Sequence, residues 1–349
     1  GNARGEYMDF GMFTDFHVRK GMTQAEAFEE SFSQVLAAEE MGLDSVWLAE
    51  HHFTPDRSVL ASPLIIATAI AARTSRIRVG LAVQVLPLTN PLRIAEEAAT
   101  VDHISRGRFD FGIGRSGLTK YYAGYNIPYS ESRGRFFEAL DVIMKAWTQE
   151  EFSHQGEYYS YGRVNVVPKP YQDPHPPTRI ALASADTFPM VGKLGYPIFI
   201  SGATAVPQMQ ERLELYRKAR KEAGHSEPES ITLRIPAYVA ETAEQARDEP
   251  EASTMYGLQY AARELSGSAA TPEAAERLRQ MGDVPYEEIL QRRVMYGTPE
   301  AVTERLREYQ EELGITGVVL EMNYGGQLPN ERLINSVRLL AEKVMPNFN

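Results

Sequence analysis

The sequence predicts a (β/α)8 barrel, and three observations carry that prediction. Short apolar runs alternate with helical patterns from one end of the chain to the other, and eight such units can be counted. No composition shift, low-complexity tract or short repeat divides the 349 residues. Strict alternation joins parallel strands by crossovers, and eight parallel strands close a barrel; an open doubly wound sheet does not favour that number.

Residues 8–13 (MDFGMF) read as the first strand. Thr23 reads as the N-cap of a helix that runs to Met41 and stops at Gly42. Residues 45–49 form the second strand, before an Ala- and Ile-rich helix over 63–73. Residues 77–86 (IRVGLAVQVL) form the third, and the helix over 91–104 opens on proline, as a first turn allows. The fourth strand is 108–113 and its helix 133–147. Residues 148–178 break the rhythm with a strand pair and a proline-rich return, an insertion before strand five. Strands follow at 179–183, 197–200, 232–239 and 317–322, with helices over 187–194, 206–223 and 330–344. The connection between strands seven and eight spans residues 240–316; it holds a helix over 242–263 and another from Pro299, capped by Thr298. In a barrel this connection lies on the strand-end face, so its small and polar residues 266–271 read as a lid; a peripheral helical insertion is the equal alternative. Residues 8–349 are read as a single domain, and residues 1–7 as a ragged N-terminus outside it.

A formal net charge of −11 opposes a phosphate backbone or an anionic membrane surface as the main partner. The absence of cysteine excludes disulfides, thiolate metal sites and a cysteine nucleophile. No apolar run has the length of a membrane span and the N-terminus lacks a signal-peptide core, so a cytoplasmic enzyme is expected.

The run FDFGIGRSGLTKYY places Gly112, Gly114 and Gly117 in G-x-G-x-x-G spacing. A dinucleotide fingerprint needs a helix starting inside that loop, an acidic residue ending the next strand, and a place on the first strand. Here no good helix follows, Glu138 falls within a helix, and the strand is the fourth; the dinucleotide reading is rejected. Arg115 instead follows a barrel strand on the active-site face. Arg133 returns to that face, and Ser184-Ala185-Asp186-Thr187 opens a short helix. Two guanidiniums, two hydroxyls and a helix N-terminus suit a phosphate monoester; pairing of both arginines with surface carboxylates is the alternative.

The second strand ends WLAEHHFTPDR, with adjacent histidines where catalytic residues of barrels collect. Alternation sends His51 and His52 to opposite sides, one to the cavity and one outward, so they do not share a metal ion. No HxH or HExxH spacing occurs, and no metal site is expected.

Together these segments resemble the bacterial luciferase-like family of flavin-dependent monooxygenases. The matching runs are Trp47-Leu48-Ala49-Glu50-His51-His52-Phe53, residues 79–87 (VGLAVQVLP), Asn90-Pro91-Leu92-Arg93, residues 105–115 (SRGRFDFGIGR), Tyr296-Gly297-Thr298-Pro299-Glu300 and Val344-Met345-Pro346. The resemblance implies a barrel that binds reduced FMN at its strand-end face, reacts it with O2 by way of a peroxyflavin, and oxygenates a small organic substrate. It implies that Arg115, Arg133, Ser184 and Thr187 hold the FMN phosphate and that His51 is the catalytic residue, acting in proton transfer beside the flavin. It implies a non-prolyl cis peptide at Ala82-Val83 under the ring, with Gly112 and Gly114 leaving room where backbone and flavin approach. It also implies a separate NAD(P)H:flavin reductase and a homodimer in which His52 reaches Glu96 of the other copy. Two positions depart from the family pattern. Gly114 stands where luciferase proper has a cysteine, and Ala183 stands where an acidic residue is expected, leaving that part of the pocket to backbone contacts. An F420-dependent hydride-transfer oxidoreductase, a non-catalytic flavin-binding protein and a metal-dependent barrel hydrolase are the other readings. Tyr121, Tyr122 and Tyr125 either shape an apolar pocket or serve packing.

Overall fold

The computed structural model describes residues 7–182 and 184–348. Eight parallel strands are wrapped in helices: β1 (Asp9–Thr14), β2 (Ser45–Leu48), β3 (Arg78–Leu81), β4 (Phe109–Gly114), β5 (Thr178–Ala181), β6 (Ile198–Ser201), β7 (Ile231–Val239) and β8 (Gly317–Glu321). Each pairs with the next, and β8 returns to β1 in the register Asp9 to Gly317, which closes the barrel. The surrounding helices are α1 (Gln24–Met41), α2 (Pro63–Arg73), α3 (Pro91–Ile104), α4 (Ser132–Thr148), α5 (Thr187–Leu194), α6 (Val206–Glu222), α7 (Pro299–Leu313) and α8 (Asn330–Leu339). The (β/α)8 expectation is met, and the insertion before β5 is an antiparallel hairpin of Phe152–Gln155 with Ser160–Val164.

Local chemistry explains the boundaries. Thr23 and Glu26 form a reciprocal capping box at the start of α1, and Gly42 ends that helix at φ +97°, a conformation that costs glycine least. Thr298 Oγ1 accepts from Ala301 N at the start of α7.

Strand alternation makes two cores. Val46 and Leu48 of β2 face outward into the layer shared with the helices, whereas Trp47 between them joins Phe13, Phe199 and Val319 in a smaller cluster inside the barrel. The Trp47 indole lies across its two neighbouring strands. A Cβ at Gly11 would stand 2.5 Å from Trp47 Nε1, and one at Gly80 would overlap the six-membered ring. The two glycines therefore give the indole its seat.

Several boundaries differ from the sequence expectation. The third strand is not continuous over 77–86: β3 ends at Leu81 and Gln84–Val85 pairs separately with the end of β4, the two being separated by the Ala82–Val83 peptide, which is cis as the resemblance implied. Both halves are buried, so the hydrophobic run shows no break. The expected helix over 242–263 is split into Ala243–Asp248 and Glu251–Tyr260 at Pro250, which lacks an N–H and crowds the preceding turn. The helix α8 ends at Leu339 and residues 340–344 form a π turn. An unexpected short helix, Thr119–Gly124, follows β4.

At the far end of the barrel from the site, burial and the nearby Asp44 and Asp110 raise the Asp9 carboxyl to about 6, against the pull of Arg179. The unfolded group ionises near about 4, so the folded state holds the proton more tightly between those values. Stability is therefore expected to fall as pH rises from about 4 to about 6, by up to about 3 kcal/mol for a two-unit shift. Asp9→Asn removes this dependence: urea melts should find it more stable than the parent above pH 6, with the difference vanishing toward pH 4.

Candidate functional site

The C-terminal ends of the strands form a mouth whose floor is Phe13, Trp47, Ala82, Phe199 and Val319. Trp47 and Phe199 meet edge to face, with ring centres 5.3 Å apart. Arg234 of β7 stacks its guanidinium over Phe13 at 4.0 Å and donates from Nε to Glu321 Oε1 at 2.6 Å. Over this floor lie Glu251–Tyr260, Pro272–Met281 and Tyr286–Arg292, the helices of the connection expected to form a lid. Its segment 266–269 is tied across the mouth: Leu118 and Ala269 form an antiparallel bridge, and Thr119 Oγ1 donates to Ser268 O at 3.1 Å. Between floor and lid is a cavity of about 310 Å3 with apolar walls from Phe199, Ile200, Leu258, Met281 and Ile289; Arg293 also faces it.

His51, with about 11% of its side chain exposed, lies against this mouth. Its Nδ1 hydrogen-bonds the Tyr121 hydroxyl at 2.9 Å, while its Nε2 lies 3.4 Å from Asp15 Oδ2, a polar contact without hydrogen-bond geometry among the described residues. Asp15 is buried, with His17 Nε2 2.6 Å from Oδ1 and Arg57 Nε 3.5 Å from Oδ2. Burial alone would raise the Asp15 carboxyl, but His17, His51 and Arg57 hold it well below the usual carboxylate range. Burial drives His51 down to about 4, Arg57 adds to the shift and Asp15 opposes it, so the imidazole is neutral near pH 7. The sequence analysis missed Asp15 and Arg57. The available signal was the TDFH run at the end of the first strand, where barrel sites gather.

His52 does not point outward to solvent. It is buried, with Nε2 2.6 Å from Glu50 Oε2 and Nδ1 3.3 Å from the Tyr125 hydroxyl. Within the chain its partner is thus Glu50, not Glu96. Glu50 also accepts from Val85 N at 3.0 Å; burial raises its carboxyl, with His52 and Val85 pulling the other way.

A second cavity, about 290 Å3, is lined by Val83, Gly114, Arg115, Tyr129, Ser184 and Thr187 among others. Arg115 donates from Nη1 to Ser132 Oγ at 3.2 Å. The Thr187 hydroxyl is turned back onto Ser184 O at 2.5 Å, while Ser184 Oγ is buried without a partner. Five of the expected phosphate and ring residues, Arg115, Ser184, Thr187, Val83 and Gly114, therefore meet in one recess. Arg133 does not line it; Nη2 is 2.8 Å from Asp186 Oδ2 on an exposed rim, the carboxylate pairing considered as the alternative. Ala183 lies outside the described residues. The space at Gly114 is occupied by Val83, whose Cγ2 would stand 2.8 Å from an added Cβ. At Gly112 an added Cβ would overlap the Leu81 carbonyl oxygen, so that glycine serves the barrel wall and not an approaching flavin. Tyr121 and Tyr122 are buried packing residues; Tyr125 is 46% exposed.

Among the described residues no group of three or more histidine, aspartate or glutamate side chains is arranged to hold a metal ion, and no helix is long and apolar enough to cross a membrane. The residues present fit a flavin mononucleotide: the recess is lined by the Arg115 guanidinium and the Ser184 and Thr187 hydroxyls for a phosphate and by Val83, packed beside Ala82, for an apolar ring.

Comparison with known proteins places this geometry. Limonene 1,2-monooxygenase of Rhodococcus erythropolis is 28% identical over 347 residues, 98% of this chain and 87% of that protein. Protein y4vJ of Sinorhizobium fredii is 33% identical over 227 residues; the match covers 64% of this chain and only 63% of that protein's length. The crystal structure of the monooxygenase RslO1 from Streptomyces bottropensis superposes with a TM-score of 0.84 at 27% identity, covering 98% of this chain and all of that one. The oxygenating constituent of 3,6-diketocamphane monooxygenase from Pseudomonas putida, in complex with FMN, gives 0.83 at 19% identity, covering 98% and 99%. An F420-dependent secondary alcohol dehydrogenase gives 0.77 at 17%, with the same coverage; these last two likenesses show the fold alone. The family profile of luciferase-like monooxygenases matches residues 8–317, and the chain belongs to that family.

Proposed function

We propose that the protein is a flavin-dependent monooxygenase that uses reduced FMN and O2 to oxygenate a small, mainly apolar organic substrate. The observation that carries this reading is one barrel mouth holding a cationic recess, an apolar cavity and a neutral imidazole. Arg115 and Ser184 would hold the phosphate, and Ala82 with Val83 would support the ring. When bound, reduced FMN supplies the electrons with which O2 is divided between substrate and water. The chain's own task is then to position and protect. Phe199, Leu258, Met281 and Ile289 keep water from the substrate cavity, and His51, held neutral at pH 7, is available as a proton acceptor.

A separate NAD(P)H:flavin reductase belongs to this reading. The chain's G-x-G-x-x-G glycines serve the barrel wall and the flavin recess, and the camphane relative is itself described as an oxygenating constituent. A homodimer also belongs to it, supported by Ile65 of α2, 67% exposed, and by the exposed rings of Phe53 and Tyr125 beside His52. With Nε2 held by Glu50, His52 would meet Glu96 of the partner through Nδ1, in place of Tyr125.

Arg115→Ala tests the phosphate assignment. Loss of a charge-assisted hydrogen bond should weaken FMN about 10–100-fold, while riboflavin, which lacks the phosphate, binds as before. Fluorescence titration reads both ligands. Equal affinity for FMN in the variant removes Arg115 from the site; tighter binding of F420 than of FMN by the parent would favour hydride transfer over oxygenation.

A further inference from the structure

Asp15 has no part in the reading above, yet it is buried at the mouth and faces three side chains that carry N–H groups. Its place is built locally. The chain turns at Phe16, a non-glycine residue at φ +50°, and residues 16–18 are laced to 57–59 by Val18 N to Arg57 O (3.0 Å) and Val59 N to Phe16 O (3.2 Å). His17 and Ser58 form an antiparallel bridge, and the Ser58 hydroxyl donates to the Asp15 carbonyl. This lacing holds Arg57 beside the carboxylate.

The groups that face His51 are Asp15 and Arg57 from these two segments, Tyr121 from Thr119–Gly124, and Arg234 from β7. An ionised carboxylate can only accept hydrogen bonds, so the nitrogen that His51 turns toward Asp15 is the one that carries hydrogen. A neutral imidazole has one N–H, so Nδ1 is left as an acceptor and the Tyr121 hydroxyl, 2.9 Å away, donates into it. The reverse arrangement would set two lone pairs against each other at Asp15.

We propose that Asp15 is a positioning residue for His51, fixing its Nε2–H tautomer and so directing the Nδ1 lone pair at the Tyr121 hydroxyl. Asp15, His51 and Tyr121 then stand in one line at the mouth, with a polar contact of 3.4 Å between Asp15 and Nε2 and a hydrogen bond of 2.9 Å between Nδ1 and Tyr121. The consequence for oxygenation rests on the proposed function; the tautomer does not. If Asp15 served only to neutralise His17 and Arg57, the proton on His51 would be indifferent to its removal.

Asp15→Asn distinguishes the two, because it keeps the shape while its amide N–H can donate to Nε2. Long-range 1H–15N correlation at pH 7, with the His51 signals assigned by their loss in His51→Gln, should show a neutral ring protonated at Nε2 in the parent. In Asp15→Asn the Nδ1–H form should become populated. Coupled product formation should fall about 10–100-fold, with KM for the organic substrate and affinity for FMN within about threefold of the parent. A parent His51 protonated at Nδ1 overturns the proposal, whether or not the variant folds. An unchanged tautomer and unchanged coupling in a folded Asp15→Asn also overturn it. Should the parent prove not to oxygenate at all, the nuclear resonance arm still reads the assignment of Asp15 separately.

Discussion

Replacing His51 with glutamine is expected to lower oxygenated product per FMN oxidised by roughly 10²–10⁴-fold, the usual range for losing a positioned acid–base group. Glutamine can donate from its amide to Asp15 and accept from the Tyr121 hydroxyl, so both contacts of the imidazole are replaced and the fold should hold. What it cannot do is accept a proton as the neutral imidazole can. FMN affinity should therefore stay close to that of the parent, since the phosphate recess is lined by Arg115 and Ser184 and not by His51. Product yield, oxygen consumption and thermal midpoint measured together separate the outcomes. Undiminished yield would remove His51 from the mechanism, whereas a collapse of the thermal midpoint would assign it to structure.

The largest effect on stability is expected at Gly112→Ala. The added methyl group would overlap a backbone carbonyl oxygen in the neighbouring strand, Leu81 O, and a barrel wall cannot yield as a flexible side chain can. Overpacking commonly costs about 1–3 kcal/mol, and a backbone clash belongs at or above the top of that range. For a chain of this size that lowers the thermal midpoint by roughly 4 °C or more. Gly162→Ala in the hairpin is the control, because nothing lies within 4 Å of the added Cβ there. Calorimetry on the two variants checks the contrast; a Gly112→Ala protein as stable as Gly162→Ala would show that the wall relaxes.

The barrel was legible in the sequence because its cause is periodic. Each strand–helix unit carries its own pattern, and Thr23, Gly42 and Thr298 mark helix ends by local chemistry that needs no distant partner. The cis peptide at residues 82–83 came from the family resemblance and not from periodicity, because buried apolar residues flank it on both sides, and the break at Pro250 was not read. The site divided in the same way. Arg115, Ser184 and His51 could be named from their places after strands and from the family resemblance. Asp15 and Arg57 could not, because they lie 42 positions apart and meet only through the pairing of residues 16–18 with 57–59. Arg133 pairs with Asp186 on the exposed rim, the carboxylate alternative that its place in the sequence had left open. His52 meets Glu50 two residues away, on the same side of the chain, where burial holds the pair together.

The central claim is that this barrel mouth takes up reduced FMN and controls its reaction with oxygen. The most direct test is anaerobic mixing of the protein with reduced FMN, followed by O2 in a stopped-flow spectrometer. A long-lived transient absorbance, absent when free FMN is mixed with O2, is the predicted result. Reoxidation at the rate of free FMN, with no transient, would contradict it.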